Sequence, residues 1–497
     1  MVSYSFAENV PQEIASAAGL GLADSAIVED LVRVWREKLH RNLVREMYYE
    51  MHRKPMDLGI AVPPKLRNLR QVMGWPAKAV DMLATRSQFD GFTSKDDAAT
   101  MALQKTVLAN GMKRAYRQAA TSEVMHSCAF ATVTAGDAAR HEPRALVRFY
   151  PATAAAAIWD SHANRIKAGL VVADRDMRPG PREGEPTRVM VFTDDAVISI
   201  DRAAHGGWVA LYQAHSMGRT LMVPMAYRAS LSRPFGKSAI SRAVMDLTDS
   251  AMRAAVRSEI AGEFISSPQK YLMGAKKGAV PADSMWDAYI GSVFCVGPDP
   301  VTGAVPQYGQ LPQGSMQPHV DYMRSLAARF SGETNVPISS LGVISDNPSS
   351  AEAIYAAKED LVITAQNLNE DNGEALRDIA FMALAIERGT DYWTELEANE
   401  NVQAKFRNPA RPSLVSQADA MCKIAQSFPW MAESDVALEE LGFGDDQIMR
   451  LRSDRRRSQS NERSIAFLMG RGGNGAAQES GAGTVQPGAL PAAAGSD

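Results

Sequence analysis

Late in the chain, apolar residues recur at Ile354, Ala357, Leu361, Ala365, Leu368, Ala375, Ile379, Met382 and Ile386. Residues three and four apart share a helix face, so this spacing predicts one amphipathic helix, with Asn372-Gly373 its one expected kink. Its start is marked twice. Pro348 disfavours helix at Asn347 by steric clash, and Ser349 with Glu352 has the form of a capping box, hydroxyl and carboxylate each satisfying an orphan backbone donor. The helix is much longer than the globular average of roughly 11–12 residues. It leaves a loop, "VPISSLGVISDNPSS", that contains no Lys or Arg.

The same period predicts further helices. "IVEDLVRVWREKLHRNLVREMYYEMH" places Leu31, Val34, Leu39, Leu43 and Met47 on or near one stripe. A short helix is expected around Ala77 to Thr85, and one helix through "SKDDAATMALQKTVLANGMKRAYRQAAT", capped by Ser94 with Asp97 at the N3 position. Others are expected from Ser238 to Ile265, in "QPHVDYMRSLAARFSGET", and beyond Asn401 in "SLVSQADAMCKIAQSF", "ESDVALEELGF" and "DDQIMRLRSDRRRSQSNERSIAFLM". Between about Ser122 and Tyr227 the period changes. "CAFATVTAG", "RALVRFYP", "IKAGLVVAD", "RVMVFTDDAVISI" and "GGWVALYQA" are short, rich in Val, Ile and aromatics, and separated by turn residues. They predict an antiparallel meander beside the helices, a helix-rich α+β body. "VFCVGPDPVTGAVPQYGQL" predicts a hairpin. Residues 1–25 read as a loose arm. Arg471 to Asp497 is Gly/Ala/Pro/Ser-rich and predicts disorder, because it can bury too little to order itself.

Composition narrows the function classes. A chain of 497 residues calls for two to four substructures. The net charge of −4 gives no electrostatic case for a DNA wrapper or a membrane binder. Cys128, Cys295 and Cys422 show no paired spacing, which argues against disulfides and zinc and fits a reducing compartment. The N-terminus lacks the pattern of a secretion signal, and no run of 18 apolar residues could span a bilayer. A soluble, cytoplasmic chain is expected.

Candidate chemistry adds little. "FGKS" (Phe235 to Ser238) opens a helix as a phosphate loop does, but the Gly required five residues before Gly236 is Leu231. Gly236 and Ser238 are therefore read as turn and cap. No HxxxH, HxH or Gly-x-Ser-x-Gly pattern occurs, and Asp283, Asp287 and Asp299 read as solvated loop acids. No catalytic, cofactor or metal residue is nominated, which leaves dispersed catalytic residues as the remaining enzyme reading. The basic run Arg450 to Arg463 could meet phosphates, yet no aromatics interleave to stack on bases. Pairing with the acids of "ESDVALEELGFGDDQ" is the preferred reading.

Taken together, segments of the chain resemble portal proteins of tailed bacteriophages, in particular the siphophage branch found among phages of actinobacteria. The resemblance is carried by "RPFGKSAISRAVMDLTDSAMRAAVRSEIAGEFISSPQKYLMGA" and "ARFSGETNVPISSLGVISDNPSSAEAIYAAKEDLVITAQNLNEDNGEALRDIA". "YYEMHRKP…KLRNLRQVMGWPAKAVDMLATRSQFDGF" carries it more weakly. It spans about Asn42 to Glu387, and its specificity lies in the order of segments. Another head-tail connector or adaptor is the alternative within the same setting.

That resemblance implies a ring of identical subunits, usually twelve, at one vertex of a capsid in the virion, assembled in the host cytoplasm. Double-stranded DNA passes through the ring, terminase large subunit and later a head-tail adaptor dock on it, and the major capsid protein surrounds it; no cofactor or membrane is implied. It divides the chain into an arm (1–25), an α+β wing (26–235) and a stem helix (236–267). A clip (268–314), a second stem helix (315–335) and a tunnel loop (336–348) follow. A long helix returning through the wing (349–411), a helical crown (412–470) and the tail (471–497) complete it. Leu341, Ile344, Ser345, Asp346 and Asn347 would form the DNA-channel loop, with Ser349 and Glu352 capping the helix at its root. A loop without cations suits a channel in which DNA must slide, since each Lys or Arg contact to phosphate adds holding energy.

Overall fold

The computed structural model describes residues 12–52, 71–266, 270–274, 298, 301, 303, 305–310, 312, 314–343, 351–410 and 414–471. The chain divides into two units, Met1–Ala410 and Arg411–Asp497.

The first unit begins with one 3-10 turn, Gln12–Ser16, and helix α1, Leu22–Tyr49. The expected loose arm is packed down over its described part. Ile14 is fully buried, and Ala18 donates to the Trp208 carbonyl at 2.8 Å and accepts from the Ala210 N–H at 2.9 Å. Burying an Ile side chain stabilises by about 1.5–3 kcal/mol, which offsets the ordering of a short segment. Helix α1 buries Val28, Leu31, Val32, Trp35 and Leu39, so the buried stripe centres on Trp35 and leaves Val34, Leu43 and Met47 at its margin.

Helix α2 (Trp75–Ala84) and strand β1 (Phe89–Thr93) lead to α3 (Asp97–Ala109) and α4 (Met112–His126). The single helix expected from Ser94 is thus two. The cap is Asp96, whose carboxylate accepts from the Ala98 and Ala99 N–H groups. The break falls at Asn110, whose carboxamide donates to the Ala145 carbonyl at 2.9 Å and accepts from the Val147 N–H at 2.9 Å. Gly111, at φ 58°, then restarts the helix.

Eight strands follow: β2 (Cys128–Ala135), β3 (Ala145–Pro151), β4 (Ala155–Asp160), β5 (Arg165–Arg175), β6 (Pro186–Phe192), β7 (Ala196–Arg202), β8 (Trp208–Ala214) and β9 (Met222–Ala226). They form a three-stranded sheet, β3-β2-β9, and a five-stranded antiparallel meander, β4-β5-β6-β7-β8. "RVMVFTDDAVISI" is two strands, β6 and β7, turned at Thr193, which bonds Ala196 through both backbone and hydroxyl. Helix α1 covers the meander, Leu31 and Trp35 sharing one buried apolar cluster with Leu170, Val189, Val191 and Ile200.

Helix α5 (Arg242–Ser266) runs to β10 (Lys270–Met273), which pairs antiparallel with β11 (Gln307–Gln310). The hairpin expected within 293–311 is corrected accordingly: its second half pairs with Lys270–Met273, and "VFCV" lies outside the described residues. Helix α6 (Gln317–Thr334) matches its expected bounds. Helix α7 (Ala351–Arg388) runs for 38 residues. The segment 349–411, read as one long helix, is therefore helical only to Arg388. Gly389, at φ 75°, ends the helix, and α8 (Tyr392–Ala398) and β12 (Gln403–Phe406) follow. β12 pairs with β1 more than 300 residues earlier, Thr93 opposite Gln403. Asn372-Gly373 stays helical. Asn372 is fully buried, and a Cβ at Gly373 would make only ordinary van der Waals contact, 3.6 Å from the Phe406 ring.

The second unit comprises α9 (Leu414–Ser427), α10 (Asp435–Glu440) and α11 (Asp445–Arg471). Ser434 caps α10 by accepting from the Val436 N–H.

Candidate functional site

The "FGKS" stretch is a turn wedged against the body. Gly236 has φ 69°, and a Cβ there would meet the Tyr227 carbonyl at 2.1 Å. The Lys237 N–H donates to that same carbonyl at 2.8 Å, and the Ser238 hydroxyl donates to the Met125 carbonyl at 2.5 Å. Backbone donors that a phosphate loop would aim at an anion are here spent on protein. Ser238, expected as the cap, does not cap α5; that position is held by Ser241, which accepts from the Val244 N–H at 3.2 Å. Gly236→Ala is expected to cost about 3 kcal/mol, combining left-handed strain with a backbone clash, readable as a lower unfolding midpoint in urea.

Helices α5 and α6 pack through Val244, Leu247, Ala251 and Ala254 against Leu326, Ala327 and Phe330. Ala251, Ala254 and Ala327 fill the space among the larger side chains, and Phe330 is fully enclosed. At the end of α6, Asn335 takes the left-handed conformation at φ 58° and its N–H donates to the Ser331 carbonyl. The chain then enters a short 3-10 turn, Ile338–Leu341.

Trp75 holds this turn in place. Its ring lies 5.2 Å from that of Phe330, and its Nε1–H donates to the Leu341 carbonyl at 3.3 Å. Val336 is fully buried and Leu341 only 8% exposed. Leu341, assigned to a DNA-facing loop, is thus a core residue at the loop's root, because its side chain joins Trp75 and Phe330 in one apolar cluster. Ile344, Ser345, Asp346, Asn347 and Ser349 lie outside the described residues. Glu352 falls in the first turn of α7. The next fixed point on that helix is Leu361, 2% exposed. Sequence reading did not nominate Trp75; its position just after "VMG", opening an apolar helix, is the signal that could have.

Beneath this lies a polar cluster that also went unread. The Tyr116 hydroxyl meets the Ser87 hydroxyl at 2.6 Å, and the Asn372 amide donates to Tyr116 at 3.0 Å and to Glu123 at 2.8 Å. Burial pushes the Glu123 carboxyl up to about 8, against the weaker opposing effect of its bond to Asn372. The cluster locks α4 to the middle of α7. A second lock stands further along that helix, where Arg219 donates to Asp378 at 2.9 Å and stacks 4.2 Å over Tyr392.

In the basic run of the second unit, Arg452 bonds Asp435 at 2.5 Å, so at least that cation pairs with an upstream acid. Asp283, Asp287 and Asp299 lie outside the described residues. Among the described residues no group of His, Cys, Asp or Glu could hold a metal ion, and no helix is long and apolar enough to cross a membrane.

No family model matches the chain. It is 26% identical over 435 residues to the portal protein of Mycobacterium phage D29, covering 85% of this chain and 87% of that protein. It is 25% identical over 437 residues to the portal protein of Mycobacterium phage L5, covering 85% and 86%. Among solved structures, a subunit from the neck of a native GTA particle, computed with C12 symmetry, aligns over 74% of this chain and 89% of its own at a TM-score of 0.40 and 12% identity. One from the neck of an empty GTA particle, computed with C6 symmetry, aligns over 71% and 86% at a TM-score of 0.41 and 13% identity. Over 85% of its length the chain is thus similar to mycobacteriophage portal proteins, the family whose resemblance its sequence carries.

Proposed function

We propose that this chain is the portal subunit of a tailed phage, forming a ring at one capsid vertex through which double-stranded DNA is packaged and ejected. The observation that carries this is the similarity, over 85% of the chain, to two curated portal proteins. The α+β body before Pro234 serves as the wing, α5 and α6 as the stem, and the segment between them as the clip on which terminase and head-completion proteins dock. The second unit serves as the crown. The tunnel loop is then narrowed to the residues after Gly342, with Ile344, Ser345, Asp346 and Asn347 nearest the DNA, and Leu341 as its buried root. Long helices fixed at both ends suit this role. The Trp75–Leu341 contact holds one end of the loop and Leu361 the other, so force from moving DNA is met by packed core.

Light scattering of the purified chain tests the ring. A single species many times the 53.8 kDa of one chain is expected. Only monomers and dimers across a range of salt and protein concentration would contradict it.

A further inference from the structure

Between α1, β4 and the "RPFGKS" turn lies a cleft of about 1230 Å³. Its floor is apolar, with Val34, Phe130, Ala156, Trp159, Phe235 and Met245 among its lining. Its rim is cationic: Lys38, Arg41, Arg233, Lys237 and Arg242 line it, and all five are exposed. Among the described residues no carboxylate pairs with any of them, and Asp30 on the same wall is taken by Arg33 at 2.7 Å. Five unneutralised cations around an apolar floor fit a partner that presents carboxylates beside an apolar side chain. Nucleic acid fits less well, because phosphates would satisfy the rim and leave the floor wet.

The chain carries such a surface elsewhere. On α7, Glu359, Asp360, Glu370, Asp371 and Glu374 are all exposed, and Ile363 among them is 47% exposed. Glu359, Ile363, Glu370 and Glu374 fall on one helix face by spacing, opposite the buried Leu361, Ala365 and Leu368. No cation pairs with these carboxylates among the described residues. Asp371 is held above the usual carboxylate range by partial burial and then by its neighbours Glu370 and Glu374, as expected of a crowded acidic face without a counter-charge.

We infer that the acidic face of α7 in one copy seats in the basic cleft of the next copy. The inference rests on the ring reading above, since one face meeting a different face is a head-to-tail contact, the kind that closes into rings. Ile363 enters the apolar floor while the flanking carboxylates meet the rim cations. Assembly should therefore weaken as salt rises.

Charge reversal on each side tests it. A cleft variant, Arg41→Glu with Lys237→Glu, and a face variant, Glu370→Lys with Glu374→Lys, should each remain small alone by sedimentation. Mixed in equal amounts they should assemble, because reversed face then meets reversed cleft and native face meets native cleft. Circular dichroism checks that each variant is folded. Should a reversed chain not fold, Gln at the same positions should instead raise the protein concentration needed for assembly by about tenfold. Two results overturn the inference: either variant alone assembling as the wild type does, or two folded variants failing to assemble on mixing. A cleft variant that loses double-stranded DNA binding while still assembling overturns it in favour of nucleic acid. A wild type that never assembles contradicts the ring reading itself, which separates the two failures.

Discussion

Trp75→Ala is expected to lower stability by about 3–5 kcal/mol, the range for removing a buried Trp from a core. The residue is only 5% exposed, and from the start of α2 its ring reaches the end of α6 through Phe330 and the Leu341 carbonyl. Removing it leaves a cavity and an unpaired carbonyl together. Trp75→Phe separates the two contributions. It keeps most of the packing and loses the N–H donor, so it should cost only about 1 kcal/mol. Urea titration gives both values. Hydrogen exchange at Leu341–Val343 should rise in the Ala variant well before global unfolding, because the 3-10 turn has lost its anchor. Equal stability of wild type and Trp75→Ala would mean that the loop root is held elsewhere.

Glu123→Gln is expected to raise stability above pH 8 and to flatten its pH dependence. The folded-state carboxyl sits near 8 and its ordinary value is 4.5. Between those values the folded chain holds a proton that the unfolded chain has released. Stability from this group is therefore greatest below pH 4.5 and falls as pH rises through the window to about 8. The full cost of ionising this buried group is roughly 4–5 kcal/mol at the usual 1.36 kcal/mol per pH unit. Gln keeps an acceptor for Asn372 and carries no charge at any pH. Melting temperatures of variant and wild type should coincide near pH 4.5 and diverge by pH 9, the variant higher. A wild type whose stability is flat across pH 5–8, once other groups are matched by the variant, would show that Glu123 is solvated or otherwise neutralised.

Much of the architecture was legible because its signals are local. Helix α6 has Pro318 at its start, a clear apolar stripe and Asn335 to end it, and its bounds were readable from those alone. Strands β2, β3, β5 and β8 carry the β-branched and aromatic residues that a pleated half-buried surface favours. What went unread depends on distant partners. β4 begins "AAAI", which carries no strand preference of its own; it is a strand because β5 pairs along its length. β1 and β12 are short and meet only across the whole first unit. The break at Asn110 exists because β3 offers it a carbonyl and an N–H. The arm is ordered by the edge of β8, which no local rule reveals.

The candidate site divides in the same way. Its cation-free composition and the proline and cap signals at the root of α7 are properties of the sequence. That Leu341 belongs to the core is not, because the residue which buries it, Trp75, is remote in the chain. Asn372-Gly373 is the converse. The sequence flags a kink, and the helix runs through it instead, with the Asn372 amide buried against Glu123.

Negative-stain electron microscopy of the purified chain tests the portal reading most directly. End-on views should show closed rings with a central hole wide enough for a DNA duplex, and side views a narrower stem below a broader body. Compact particles without a hole, or open filaments, would contradict it.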